Sequence, residues 1–234
     1  MSSSNTSVVM LPGLLCDHRL WTHANSAFES ERQVFIPDLS LDASIGLMAE
    51  RVLEQAPAQF ALVALSMGGY VAFEIMRRAP QRVARLALLD TMARADDPAR
   101  TKARRGLLAL AEMGRFKGVT PQLLPMLMHP RCLETAAAQV VQDMAQTMGK
   151  DGFIRQQQAI IERPDYMPLL AQIRVPTLVV VGEQDKITPP PESQLIHRHI
   201  RHSQLVTLPD CGHLPPLEHP EHTTALLRQW LGNA

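Results

Sequence analysis

Short apolar runs recur along the chain, each closed by turn residues and most followed by a segment whose apolar positions repeat with helical period. The runs are Val8 to Leu11, Val34 to Ile36, Phe60 to Leu65, Val83 to Leu89, Thr177 to Val181 and Gln204 to Leu208. Most are apolar on successive rather than alternate residues, the pattern of strands covered on both faces; helices between them imply crossover connections and parallel pairing. Helices are expected at Ile45 to Gln55, Gly69 to Arg78, Glu192 to His199 and Pro220 to Leu231, the last opening with a proline where a first turn tolerates one. The expected class is α/β, a doubly wound, mostly parallel sheet.

From about Arg94 to Ala171 this alternation stops. Leu107-Leu108-Leu110-Ala111, Leu123-Leu124-Met126-Leu127, Ala137-Val140-Val141-Met144 and Ile154-Ala159-Ile160-Ile161 read as amphipathic helices, separated by Gly118, Pro121, Pro130, Gly149 and Gly152. The expected organisation is a core in two parts, residues 1–93 and 172–234, with residues 94–171 as a helical cap. Such an insertion can lie over the carboxyl edge of the sheet, where open α/β folds bind ligands.

Composition narrows the partners. A chain of 234 residues is long enough for one large α/β domain. Lys and Arg number 23 against 23 Asp and Glu, and the sequence pI is about 7.1, so nothing steers the chain toward nucleic acid or an anionic membrane. No run approaches the roughly 20 apolar residues of a membrane span. A small molecule with an apolar acyl or alkyl part is the expected partner. Cys16, Cys132 and Cys211 are far apart with no paired spacing, which reads as reduced thiols in the cytoplasm. The polar, uncharged opening from Met1 to Ser7 lacks the apolar centre of a signal peptide.

The candidate chemistry centres on Ser66, where the apolar run Phe60 to Leu65 meets Met67-Gly68-Gly69 and a helical pattern. A sharp strand-to-helix turn exposes a hydroxyl in front of a helix N-terminus and needs small neighbours; Ala64 and Gly68 supply them. An isolated serine there would read first as a helix N-cap. Context favours the nucleophile, because an aspartate and a histidine follow in the chain order that such sites require.

With those motifs in place the chain resembles the α/β-hydrolase family over essentially its full length. The resemblance rests on Leu11-Pro12-Gly13-Leu14, Ala64-Leu65-Ser66-Met67-Gly68-Gly69, Gly182-Glu183-Gln184-Asp185 and Cys211-Gly212-His213. Within the family it is similar to small lid-bearing esterases and their relatives in biotin and menaquinone synthesis. The resemblance implies Ser66 as nucleophile, His213 as its base and Asp185 as the acid that orients the imidazole. Asp90, at the end of the Val83 to Leu89 run, is a competing acid at another strand end. The amides of Leu14 and Met67 are the implied oxyanion hole, with Pro12 where many members carry histidine.

Around that centre, Leu15, Trp21, Met126 and His129 are candidate substrate contacts, and His18 borders the same loop. Methionines at 113, 126, 128, 144, 148 and 167 suit helix packing or an adaptable apolar pocket. Arg104, Arg105, Arg115 and Lys117 read as a solvated helix face, or as contacts to an anionic group on the substrate. Glu218 is expected to hold the histidine loop or cap the last helix, and Asp38 to sit in a turn.

The expected function is a serine hydrolase cleaving a small carboxylic ester or thioester through an acyl-enzyme, with no metal or organic cofactor. Serine at the elbow argues against epoxide hydrolase and dehalogenase chemistry, which need a carboxylate nucleophile. Carbon–carbon bond hydrolases, perhydrolases and the menaquinone-pathway lyase use similar triads. A non-catalytic receptor on the same fold typically loses a triad member, and this chain keeps all three.

Overall fold

The computed structural model describes residues 6–232; the polar opening Met1 to Asn5 lies outside them. Among the described residues, β1 (Ser7–Leu11), β2 (Val34–Phe35), β3 (Phe60–Leu65), β4 (Val83–Leu89), β5 (Thr177–Gly182) and β6 (Ser203–Leu208) form one sheet. Its order is β2-β1-β3-β4-β5-β6 and every pairing is parallel. The register sets Leu11 beside Ala64, Leu65 beside Leu89, and Gly182 beside Leu208, so the carboxyl ends of β1, β3, β4, β5 and β6 form one edge.

Successive residues of one strand enter different cores. Val8, Met10, Val63 and Leu65 pack with Phe28 and Trp230, whereas Val9, Leu11, Leu62 and Ala64 pack with Val71, Ile75 and Ile196 on the other face. That is why the strand runs are apolar without alternation.

The helices are α1 (Thr22–Phe28), α2 (Ile45–Gln55), α3 (Met67–Arg78), α4 (Pro98–Leu110), α5 (Leu124–Leu127), α6 (Ala136–Ile161), α7 (Met167–Leu170), α8 (Pro190–His199), α9 (Pro215–Glu218) and α10 (Pro220–Gly232). The connection from β4 to β5 is therefore helical, as the loss of alternation implies. Its α4 begins well before the expected Leu107, because Asp97 caps it by accepting from the Arg100 amide at 2.7 Å. The helix buries no residue, so no apolar stripe marked it. α6 is broken at Gly149, whose φ of 67° and ψ of −177° lie in a region open essentially only to glycine.

Among the described residues, the non-glycine positions with positive φ are Leu15, Ser66, Asp90 and Asp210. Each lies just beyond the carboxyl end of a strand: β1, β3, β4 and β6 respectively.

Candidate active site

Ser66 is the first residue after β3, held at φ 53° and ψ −115°. Its amide donates to the Leu89 carbonyl at 3.0 Å, and its carbonyl accepts the Thr91 hydroxyl at 2.7 Å and the Gly69 amide at 2.9 Å. The turn closes only because Gly68 lacks a side chain: a Cβ there would stand 2.6 Å from the Leu11 carbonyl oxygen.

Asp185 sits in the turn after β5, with its amide on the Gly182 carbonyl at 3.1 Å. Its Oδ1 accepts the amides of Ile187 (2.8 Å) and Thr188 (3.1 Å), and its Oδ2 accepts the Thr188 hydroxyl at 2.7 Å. His213 lies in the loop after β6, with Nδ1 2.9 Å from Asp185 Oδ2 and Nε2 2.9 Å from Ser66 Oγ. Because a carboxylate only accepts, this network assigns the ring proton to Nδ1 and leaves Nε2 as acceptor for the serine hydroxyl. The three side chains are buried. Burial alone would raise the Asp185 carboxyl, but the His213 ring, the Thr188 hydroxyl and the Ile187 amide outweigh it and hold the group well below the usual carboxylate range.

Asp90, the competing acid, is fully buried, with Oδ1 accepting the Gly182 amide at 2.9 Å and Oδ2 without a hydrogen-bond partner among the described residues. Burial first, and then the charge of Asp185, push its carboxyl well above the ordinary range, which favours its neutral form. Ligand atoms of Asp90, Asp185 and His213 lie within 4.8 Å of one another, close enough for a cation. His213 Nδ1 and both Asp185 oxygens already serve one another and the Ile187–Thr188 turn, so a cation would have to displace that network.

The amides of Leu14 and Met67 have no acceptor among the described residues. The next residue, Leu15, adopts φ 60° and donates its amide to Gln156 Oε1 at 3.0 Å, while Gln156 Nε2 donates to the Leu39 carbonyl at 3.3 Å. The histidine loop is fastened too. Glu218, buried, accepts the amides of His129 (2.6 Å), Gly212 (3.0 Å) and Leu214 (2.9 Å). A Cβ on Gly212 would stand 2.8 Å from the His129 nitrogen, so this close approach also requires glycine. Sequence reasoning missed Gln156. It is one of three successive glutamines after Arg155, so nothing local singles it out, and its partner lies 141 residues away.

A cavity of about 450 Å³ opens over Ser66 and His213, walled by Leu14, Leu15 and Met67 and roofed by Leu107, Phe116, Met126 and Phe153 of the β4–β5 connection. Of the four candidate contacts, Leu15 and Met126 border it, whereas Trp21 and His129 do not line it. Trp21 closes the 3-10 turn His18–Trp21, which turns the indole fully into the core. His129 is diverted by its own turn: Nδ1 accepts the Arg131 amide at 3.4 Å and Nε2 lies 3.9 Å from Asp210. A larger hollow of about 680 Å³, lined by Glu74, Arg77 and Tyr166, contains none of Ser66, Asp185 and His213. No helix among the described residues is long and apolar enough to cross a membrane.

A parallel sheet whose carboxyl edge carries a serine elbow, an acid after β5 and a histidine after β6 defines a class, and comparison with known proteins agrees. The family model of the alpha/beta hydrolase fold matches residues 48–220, and the chain belongs to that family. Among curated relatives, a pimeloyl-[acyl-carrier protein] methyl ester esterase of Neisseria meningitidis is 30% identical over 189 residues, covering 78% of this chain and 73% of the relative. A thermophilic esterase from Thermogutta terrifontis, solved with malate bound, is 31% identical with a TM-score of 0.84, covering 97% of this chain and 89% of its own. The enol-lactonase from Burkholderia xenovorans shares the fold, with a TM-score of 0.85 at 22% identity over 97% of this chain and 91% of its own.

Proposed function

We propose that the protein is a serine esterase that cleaves a small carboxylic ester through an acyl-enzyme, with Ser66, His213 and Asp185 as its triad. The observation that carries this reading is the continuous relay from Ser66 Oγ through the imidazole to Asp185, 2.9 Å at each step, beneath an apolar cavity. The names of the relatives, which are esterases and lactonases, support ester chemistry.

In the first half-reaction His213 Nε2 takes the Ser66 proton as Oγ attacks the ester carbonyl. The resulting oxyanion accepts the amides of Leu14 and Met67, a contribution of about 3 kcal/mol for each donor in comparable sites. Asp185 stabilises the imidazolium. His213 then passes its proton to the departing alcohol, leaving an acyl group on Ser66. In the second half, Nε2 takes a proton from water, the hydroxide attacks the acyl carbonyl, and the acid leaves as the proton returns to Oγ. Every proton moves between His213, Ser66, water and the substrate, so these steps call for no cofactor. Residues 94–171 serve as the cap that closes the apolar acyl or alkyl site, lined by Leu15 and Met126. Three free, buried cysteines fit a reducing compartment such as the cytoplasm.

The test is turnover of short p-nitrophenyl esters together with labelling by a fluorophosphonate probe. Wild type is expected to do both, and Ser66→Ala to lose labelling and several orders of magnitude of turnover. Labelling that persists in Ser66→Ala would overturn the assignment. Labelling without ester turnover would move the chemistry to the carbon–carbon or lyase branch.

A further inference from the structure

The basic residues of α4 divide into two kinds. Arg105 is exposed and does not line the cavity, whereas Arg104 turns inward and does. Arg104 Nε is held by Asp96 Oδ2 at 2.6 Å and its Nη1 by Gln157 Oε1 at 3.1 Å. Its Nη2 has no hydrogen-bond partner among the described residues and is not fully buried. The same is true of the Tyr70 hydroxyl, which faces the same space. Tyr70 lies four residues beyond Ser66 along α3, about 6 Å at about 1.5 Å per residue.

Charge at this wall is unbalanced. Asp96 is a single carboxylate shared by two guanidiniums, Arg104 and Arg163, and the wholly buried Arg163 side chain stacks over the Tyr70 ring at 4.2 Å. Arg115 and Lys117 also line the cavity and add to this positive charge, and no Asp or Glu is among its lining residues to offset it. Two unused donors beside a net positive charge, one helical turn from the nucleophile, form a site for an anion, and a guanidinium edge with a hydroxyl matches a carboxylate.

We propose that the cavity selects esters that carry a carboxylate of their own, that carboxylate held by the Tyr70 hydroxyl and Arg104 Nη2 while the ester carbonyl lies at Ser66. The proposal rests on the esterase reading and names its substrate class: half-esters of short dicarboxylic acids, hydrolysed to the dicarboxylate and an alcohol. Burial, working against the pull of Arg163 and Arg104, raises the Tyr70 phenol, which keeps it a proton donor at neutral pH.

The experiment compares kcat/KM for the monomethyl and dimethyl esters of succinate, glutarate and adipate. The half-ester is expected to be preferred by about tenfold or more at one chain length, the range of a hydrogen bond to a charged group. Arg104→Gln and Tyr70→Phe are each expected to lower that ratio, while Arg105→Gln keeps it. Tyr70→Phe, which preserves shape, decides the matter if Arg104→Gln does not fold. Equal or better turnover of the diesters at every length, or a ratio unmoved in Tyr70→Phe, overturns the proposal. If wild type neither turns over an ester nor takes the fluorophosphonate label, the esterase reading fails. Calorimetry with free glutarate then decides the anion site by itself: binding that weakens in Tyr70→Phe supports it, and no binding to wild type removes it.

Discussion

The main-chain amide of His213 donates to the carbonyl of Leu127 at 2.9 Å, so the loop that carries the imidazole is hydrogen-bonded to the β4–β5 connection as well as to the core. Gln156 makes the matching link on the other side, from α6 to the loop of Leu14 and Leu15. The roof of the cavity therefore also fixes the groups at its floor.

Glu218 fastens the same loop through three amides, one of them His129 in the connection. Glu218→Ala leaves three amide donors unmatched, two of them in buried bonds, at about 1 kcal/mol or more for each. Urea denaturation is expected to show a loss of about 3 kcal/mol or more, accompanied by a lower kcat. Glu218→Gln keeps one acceptor oxygen but turns an NH₂ toward amide donors, and should recover only part of the loss. A Glu218→Ala midpoint equal to that of wild type would contradict the role.

Ser66 holds a backbone conformation that favours glycine. Ser66→Gly is therefore expected to be inactive yet more stable than wild type by about 1–3 kcal/mol, the usual cost of such strain. Ser66→Ala gains nothing from the backbone. Thermal melts of the three proteins separate these outcomes; a Ser66→Gly protein that melts with Ser66→Ala would show the turn to be unstrained.

The buried acids predict a pH dependence. Asp90, with its folded value raised, releases a proton on unfolding once pH exceeds about 3.9, so its contribution is fully present below that point and is lost as pH rises toward the folded value. The slope is at most about 1.4 kcal/mol per pH unit. Asp90→Asn removes this loss, so its stability relative to wild type should increase between pH 4 and 7. Asp185 has the opposite sign: its lowered value adds stability above about 3.9 that disappears as pH falls through the folded value. Parallel pH–stability curves for wild type and Asp90→Asn would show that Asp90 is ionised in the folded protein.

Asp96 compensates Arg163, whose side chain has no exposed surface, as well as Arg104. Removing one partner of a buried ion pair leaves a charge uncompensated, so Asp96→Asn is expected to cost about 3–5 kcal/mol in chemical denaturation. A change below about 1 kcal/mol would mean that the Ile160 and Arg94 carbonyls, which also accept from Arg163, suffice to hold it.

Periodicity made the sheet legible: β3, β4 and α2 have the bounds the pattern implies, because continuous apolar runs and one amphipathic stripe determined them. Ser66, Asp185 and His213 were legible as residues through their turn motifs, since a sharp elbow and a glycine-led loop constrain their neighbours chemically. Their convergence was not, because it depends on parallel register across β3, β5 and β6. α1 went unseen, as only Ala24 and Phe28 of its seven residues are buried. Trp21 and Arg104 show the limit most plainly. Each sits in an element whose rotation about its own axis decides between core, cavity and solvent, and local sequence did not determine that rotation here.

Leu15, Ser66, Asp90 and Asp210 place positive-φ backbone beyond four strand ends, all along the carboxyl edge of the sheet, where Leu15 and Ser66 also line the cavity. Folding free energy sacrificed there is recovered from the two apolar layers behind the sheet. A search for a hardier enzyme that retains turnover should accordingly leave that margin untouched and work on surfaces remote from it, such as the outward side of α4, where only Arg104, Leu107 and Leu110 among its residues line the cavity.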